Sequence, residues 1–468
     1  MLRKTKIICT LGPATDSPEM LKKLITAGAN IFRLNMSHAA HDWCRQVTKD
    51  IRAAAEELDK DVSVLMDLRG PSIRTGDVSE PIELAVGDKF EFTMGEATAK
   101  EEKSVSVNYA GLGGDLKVGN TVLVDNGVIH MKVLSIDEER ILCEVLTEGT
   151  MVSRRHINLP GIRVNLPALT NKDLKDLDVG VEIGADFIAL SFARDAEHVQ
   201  TLKDLLQEKN CPARVVSKVE DQEAVNHLDE IIIASDAVMV ARGDLGIEVA
   251  FQDLPMIQRQ IVKKCINLSR KVIVATHMLE SMIENPVPTR AEVTDVANAI
   301  FEQADAIMLS GETSIGSYPI KCVNVFDKIA RRLEEEPGLG FAEDTPLRTE
   351  KHKIVKSAVV LANSIPDAKI MVFTKHGIMA HYVAHFRPKY AQIFAFSPNL
   401  DVCRSLNMSR AVHPMLMNFS SNDPDATIEV ATQRLRRLNL VEEGDPLVVL
   451  SDVLQGEFVV DAVLMKKA

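Results

Sequence analysis

One pattern constrains this chain more than any other, and it occurs eight times: a short apolar, β-branched run that stops on a polar residue, followed by a longer amphipathic stretch. TKIICTLG, NIFRLNMS and SVLMDLRG supply three such runs before Gly70; FIALSF, RVVSKVE, AVMVARGD, KVIVATHM and AIMLSGE supply five after Gly161. Runs this short read as strands and the stretches between them as helices, the alternation that builds a parallel sheet. Ser17-Pro18 opens the first helix as a cap followed by proline. Trp43, Val47, Ile51 and Ala54 share one face of the second and are core residues. Eight βα units in residues 1–70 and 161–336 match the size of a (β/α)8 TIM barrel, about 250 residues.

The chain has 468 residues, more than one hydrophobic core supports, and the remainder divides clearly. Residues 71–160 hold alternating strands and turn signals, with Asp125-Asn126-Gly127 as a hairpin turn and no helical period. They predict a small β-barrel inserted after the third strand, at the rim where a lid would grow. A stretch rich in proline, glycine and acid makes 337–350 a linker. KIMVFT, QIFAFS, HPMLM and PLVVLS then alternate with helices in a C-terminal α/β domain of regulatory type, 351–468.

Charge and cysteine usage narrow the function. A net charge of -13 excludes nucleic acid as the main partner and requires any phosphate site to be a local basic focus. Seven scattered cysteines without a C-x-x-C pair fit free thiols in a reducing cytoplasm, not disulfides or zinc. MLRKTKIICTLGP reads as a strand stopped by Gly12-Pro13 rather than a signal peptide. No apolar run reaches membrane-spanning length, so a cytoplasmic location without membrane contact is expected.

In such barrels the carboxyl ends of the strands build the active site. Here they carry Thr10; Arg33, Asn35 and Ser37; Asp67 and Arg69; Ser191; Lys218 and Glu220; Arg242 and Asp244; Thr276 and His277; Ser310 and Glu312. One polar strand end is an ordinary solvated loop, but every end is polar. Basic groups suit an anion, carboxylates a metal, and hydroxyls orientation, with no Ser-His-Asp order and no histidine cluster. Phosphoryl or enolate chemistry follows. Two rivals stay open on these residues: a lyase or aldolase with Lys218 as Schiff base, and a catalytically silent metabolite-binding regulator.

KVEDQEA around Lys218, MVARGDLGIE, ATHMLESM followed by PTRAEVTDVANA, MLSGET, FRLNMSH and GPSIRTG together resemble the pyruvate kinase family, of the three-domain, bacterial type. The resemblance spans essentially the whole chain. It implies transfer of phosphate from phosphoenolpyruvate to ADP, giving pyruvate and ATP, the last step of glycolysis. By the same resemblance Glu220 and Asp244 hold Mg²⁺ or Mn²⁺, while Lys218 and Arg33 meet the transferring phosphoryl group. The amides of Gly243 and Asp244 take the substrate carboxylate. Thr276 lies at the enolate face where the product gains a proton; a hydroxyl capping the next helix is the other reading. Asn35, Ser37, Asp67 and the Leu68 carbonyl match a K⁺ site. Arg33, His38, Arg74 and Arg155 match the surroundings of the nucleotide phosphates. Glu248 and Ser310 to Glu312 support these groups, Arg242 orients its loop by ion pairing, and a homotetramer is implied.

The chain also departs from the family pattern. Ser72 stands where K⁺-requiring members carry Glu, and Leu68 where they carry a small hydroxyl residue, so weak K⁺ binding is expected. His277 replaces Gln, and Glu302-Gln303 replaces Asp-Gly without an evident mechanism. TKHGIMA has His376 and Met379 where sugar-phosphate-activated members have hydroxyls, and DVLQGEFVV lacks a Gly-rich effector loop. Weak or absent activation by fructose 1,6-bisphosphate is therefore expected, with Thr374, Lys375 and Gly377 left to bind another phosphorylated effector.

Overall fold

The computed structural model describes residues 2–95, 97–137, 139–419, 423–455 and 458–468. Eight parallel strands close into a barrel: Lys6–Thr10, Ile31–Asn35, Ser63–Asp67, Phe187–Leu190, Arg214–Val219, Ala237–Ala241, Lys271–Ala275 and Ala306–Leu309. They are the eight apolar runs of the sequence, three before the insertion and five after it. The last strand pairs with the first from Lys6 with Ala306 to Cys9 with Leu309. Alternation divides the side chains: Ile8, Ile31, Leu65 and Phe187 fill the interior, while Ile7, Cys9, Phe32 and Val64 pack outward against the helices. The first helix, Pro18–Ala27, starts under Ser17, whose side chain accepts the Met20 N–H, and ends at Gly28 with φ 112°, a left-handed conformation that glycine adopts without penalty. Trp43 packs on the core and donates its indole N–H to Asp16 at 3.0 Å.

The insertion is a six-stranded mixed sheet in the order Ile157–Asn158, Thr121–Val124, Ile129–Asp137, Arg140–Val145, Lys89–Met94 and Ser104–Val107, with a separate two-stranded sheet. Single bridges from Arg74 to His156 and from Thr75 to Val107 join the two edges, so the ladder runs round a core of Phe90, Phe92, Met131 and Ile141. The hairpin turn has positive φ at Asp125, Asn126 and Gly127, as its turn chemistry requires. One helical turn, Leu112–Asp115, departs from the all-β expectation.

The C-terminal sheet runs Val412–Leu416, Ile393–Ser397, Lys369–Phe373, Pro446–Gln455 and Phe458–Lys467, parallel except for the last strand. Part of DVLQGEFVV, where no effector loop is expected, falls on Gly456 and Glu457, which lie outside the described residues. This domain seals the amino-terminal end of the barrel: Met408 joins the interior cluster of barrel side chains. Beside it Asp305 accepts Arg387 at 2.7 and 3.1 Å and the amides of Arg410 and Val272 at 3.0 Å each. The barrel is thus plugged at one end and open only at the rim below the lid. Among the described residues no helix is long and apolar enough to cross a membrane.

Candidate active site

Five strand ends meet in one buried charge cluster. Lys218, on the fifth strand, places Nζ 2.8 Å from Glu220 Oε1, 3.4 Å from Asp67 Oδ1 and 2.8 Å from Ser191 Oγ. Arg33, on the second, donates to Asp67 Oδ2 at 2.7 Å and to Thr10 Oγ1 at 3.1 Å. Burial opposes the charge on Lys218, but Asp67 and Glu220 outweigh it and raise its pKa, so the ammonium form persists. Burial likewise opposes charge on Asp67, yet Lys218 and Arg33 hold its carboxyl below the usual range.

Glu220 behaves differently. Its Oε2 accepts the Phe192 amide at 2.7 Å, yet burial pushes its pKa up to about 7, against the pull of Lys218 and with the added charge of Asp244. An added divalent ion would favour the charged form of this buried carboxyl. Among the described residues no group of three His, Cys, Asp or Glu could hold a metal. Glu220 and Asp244 could hold a divalent ion only if its other oxygens came from substrate and water.

The sixth and seventh strands set the neighbouring wall. After Ala237–Ala241 the chain turns at once into the short helix Arg242–Glu248. The Gly243 amide donates to Thr276 Oγ1 at 2.8 Å, and that hydroxyl donates to Ala275 O at 2.6 Å. Thr276 therefore caps the turn of the adjacent strand, not a helix of its own. Thr276 and His277 have φ 68° and 53°, strained for a β-branched residue and its neighbour. Arg242 holds them there: it reaches Thr276 O at 2.6 Å, Ala275 O at 3.2 Å and Asp295 at 2.7 Å. It orients the loop by hydrogen bonds and an ion pair, as expected. A Cβ built on Gly243 would meet Thr276 and His277 only at 3.6 Å and beyond. Packing does not demand glycine here.

The remaining expected residues are spread more widely. Asn35 Oδ1 accepts the Ser37 amide at 3.2 Å, the Leu68 carbonyl accepts Ser191 Oγ at 2.8 Å, and Asp67 Oδ1 is buried without a hydrogen bond among the described residues. Its nearest cationic partner is the Lys218 ammonium at 3.4 Å. His38 is exposed in the turn after the second strand. Arg74 bonds Ser72 Oγ at 3.3 Å and Arg154 O at 3.1 Å, while Arg155 reaches Asp125 at 3.2 Å; both lie where the insertion leaves the barrel. Glu312 accepts the amides of Leu279 at 3.0 Å and Ser310 at 2.7 Å, bracing the seventh and eighth strand ends.

Three contributors are absent from the sequence reading of the site. His156 brings Nδ1 to 4.0 Å from Asp244, and burial lowers its pKa. Asn158 donates to Glu248 Oε1 at 2.8 Å, which also accepts the Leu159 amide at 3.3 Å, so Glu248 latches the exit of the lid to the sixth strand. Ser191, noted only as a polar strand end, links Lys218 to the Leu68 carbonyl. The basic run Arg154-Arg155-His156, closing the insertion beside the rim, was the available signal for His156.

Residues 2–323 match the family model of the pyruvate kinase barrel domain, and residues 352–459 that of the pyruvate kinase alpha/beta domain. The chain is 40% identical over 447 residues to plastidial pyruvate kinase 3 of Arabidopsis thaliana, covering 94% of this chain and 77% of that one. It is 40% identical over 459 residues to the pyruvate kinase of Bacillus licheniformis, covering 96% and 77%. The crystal structure of a pyruvate kinase from Cryptosporidium parvum superposes with a TM-score of 0.94 at 33% identity, covering 99% of this chain and 96% of the other.

Proposed function

The chain belongs to the pyruvate kinase family, and from that premise we propose how its residues transfer a phosphoryl group from phosphoenolpyruvate to ADP, yielding pyruvate and ATP. The observation that carries the reading is the Lys218 ammonium fixed between Glu220 and Asp67 with Arg33 on the far side of Asp67. It sets two permanent positive charges around the place where a phosphoryl group passes between oxygens. Phosphoryl transfer needs little covalent help from the protein; positioning and charge stabilisation carry most of it.

In this reading Lys218 and Arg33 face the moving phosphoryl oxygens. Glu220 and Asp244 would hold the divalent ion, Mg²⁺ or Mn²⁺, which would supply positive charge against the substrate oxygens. The amides of Gly243 and Asp244 take the substrate carboxylate once Thr276 Oγ1 releases the Gly243 N–H. That hydroxyl is then free beside the enolate, where it relays a proton from water to the enolate carbon and takes one back from the same water. Arg74, Arg155, His38 and Arg33 receive the nucleotide phosphates, with the lid latched through Glu248 and Asn158 as it closes to exclude water. Asn35, Ser37, Asp67 and the Leu68 carbonyl hold K⁺ weakly, because Ser72 adds no carboxylate.

We divide the chain at residues 70, 160, 336 and 350, as the sequence pattern suggests. Phe251 and Met256 stand 83% and 63% exposed, apolar groups that a partner subunit of a homotetramer would cover. Free cysteines, buried except for Cys211, support a reducing cytoplasm. A phosphorylated effector at Thr374, Lys375 and Gly377 finds a loop closed on itself, with the Gly377 amide on Thr374 Oγ1 at 2.9 Å and Met379 buried, which supports weak activation by fructose 1,6-bisphosphate.

A coupled assay for pyruvate from phosphoenolpyruvate and ADP tests the reading, run with Mg²⁺ and with K⁺ replaced by tetramethylammonium. Pyruvate formation that persists in the organic cation is expected; its loss would refute weak K⁺ dependence, and no pyruvate under either condition would refute the function. Borohydride with pyruvate should leave Lys218 unlabelled, since covalent trapping belongs to the lyase reading.

A further inference from the structure

We propose that the cleft between the floor of the barrel and the C-terminal domain is a binding site for a compact phosphomonoester, anchored by the guanidinium of Arg410. The cleft is a cavity of about 230 Å³ bordered by the start of the first strand, the chain that leaves the last barrel helix, and the C-terminal domain. It is remote from the rim, and it does not include Thr374, Lys375 or Gly377.

Arg410 carries the inference. Its side chain is 6% exposed, yet its Nε has no partner among the described residues and its Nη2 comes no nearer to Glu334 than 3.9 Å. Glu334 is already committed, because its two oxygens accept the amides of Lys4 and Thr5 at 2.6 Å each. Arg387, equally buried in the same wall, also has an Nε without a partner among the described residues, but its Nη1 and Nη2 both lie on Asp305, a carboxylate fork that Arg410 lacks. A buried guanidinium without such a fork is costly, and a phosphate supplies oxygens in the matching geometry.

The surroundings select an anion. With Arg387 spent on Asp305, Lys4, Lys356, Lys389 and Arg410 border the cavity against Glu334, Glu336 and Glu343, the last paired with Lys389 at 3.5 Å, which leaves a slight local positive excess in a chain of net charge -13. Pockets for drug-sized ligands start near ~300 Å³, so this one suits a phosphate on a short carbon skeleton, with Pro337, Pro388 and Tyr390 as its less polar wall. Gln303, the departure from the family pattern that had no mechanism, borders the same cavity with φ 62°. The site also touches the barrel's own strands. The Arg410 amide sits on Asp305, the residue before Ala306–Leu309, and Glu334 holds the amides just before Lys6–Thr10.

Titration calorimetry of the full chain with glycerol 3-phosphate, alongside inorganic phosphate and malonate, tests the proposal. Saturable binding of glycerol 3-phosphate is expected, weakened at least about tenfold by Arg410→Met, the loss of a charged hydrogen-bond set, and about threefold by Lys389→Met, a half-exposed position that keeps the test alive if the first variant does not fold. Lys218→Met and Lys375→Ala should leave the affinity unchanged. Binding lost in Lys218→Met but kept in both cleft variants would place the ligand at the rim and overturn the proposal, as would binding lost only in Lys375→Ala. Equal affinity for malonate would overturn the choice of a phosphomonoester, and no heat up to 10 mM (about a millimolar-range limit) would overturn the site.

Discussion

The two ends of the barrel bury similar charges and treat them in opposite ways. At the floor, Asp305 takes four donors and Glu334 two backbone amides, so their carboxylates are saturated by the fold itself. At the rim, among the described residues, Asp67 Oδ1 has only the Lys218 ammonium at 3.4 Å, burial pushes Glu220 up to about 7 despite Lys218, and Thr276 and His277 sit in left-handed backbone. Saturated charges hold domains together, whereas under-saturated ones, held rigidly, await something that comes and goes. Arg410 follows the logic of the rim, since it is buried at the floor without a carboxylate fork among the described residues.

If that contrast is right, damage at the rim should appear as lost rate and damage at the floor as lost stability. Lys218→Met removes the charge that the proposed function sets against the phosphoryl group, and kcat should fall by at least about 10³-fold. The melting temperature should fall far less, because Glu220 can take a proton once its partner is gone. A drop in rate of tenfold or less, measured by the coupled assay, would place Lys218 among the structural charges instead. Next in size is Arg387→Met, which strands Asp305 in the floor. Breaking a buried pair on one side costs about 3–5 kcal/mol, read as a fall in the denaturation midpoint. A loss under about 1 kcal/mol would mean that the floor is solvated and the contrast fails.

The titration behaviour sharpens the comparison with opposite signs. Burial pushes Glu220 and Glu248 up to about 7. Their folded pKa values exceed the unfolded ones, so their contribution is complete below about 4.3 and is lost as pH rises through 7. At the floor, burial holds Lys6 down to about 7 and Lys271 to about 8. Those groups favour the fold at high pH and lose their contribution as pH falls from about 10.4 toward 7 and 8. In metal-free buffer, Glu220→Gln and Glu248→Gln should therefore gain stability relative to the unaltered protein between pH 5 and 8 (about three units, spanning the shift), and Mg²⁺ should erase the difference for Glu220. A difference that stays flat with pH in melting curves would show that these carboxylates are ordinary.

Much of this was legible in the sequence because it is written in period and punctuation. Eight apolar runs gave the barrel, the change of texture at 71–160 gave the lid, and polar strand ends gave Arg33, Lys218, Glu220 and Asp244. What stayed hidden depends on partners far apart in the chain. His156 meets Asp244 across 88 positions and the lid, Asn158 meets Glu248 across 90, and Met408 enters the barrel floor from another domain. The strain at Thr276 was equally invisible, since threonine is a poor choice for left-handed backbone on local grounds. A residue whose local preference is overruled is held by its neighbours, and here the neighbour is Arg242.

Arg242 is thus the fine test of the comparison, since it lies at the rim but is saturated like a floor residue. Its guanidinium is spent on Ala275 O, Thr276 O and Asp295, and none of it is left for a ligand. Arg242→Gln would keep one donor for the Thr276 carbonyl and lose the pair with Asp295, which is 35% exposed and can be solvated. The expected loss is one charged hydrogen-bond set, about tenfold in kcat/KM, carried by KM because the displaced groups are Thr276 and the Gly243 amide proposed to take the carboxylate, while Lys218 and Arg33 keep their places and kcat changes by less than about threefold. Should kcat instead fall as far as in Lys218→Met, Arg242 would itself face the reacting phosphoryl group, and saturation by protein groups would no longer separate the residues that hold the site from those that use it.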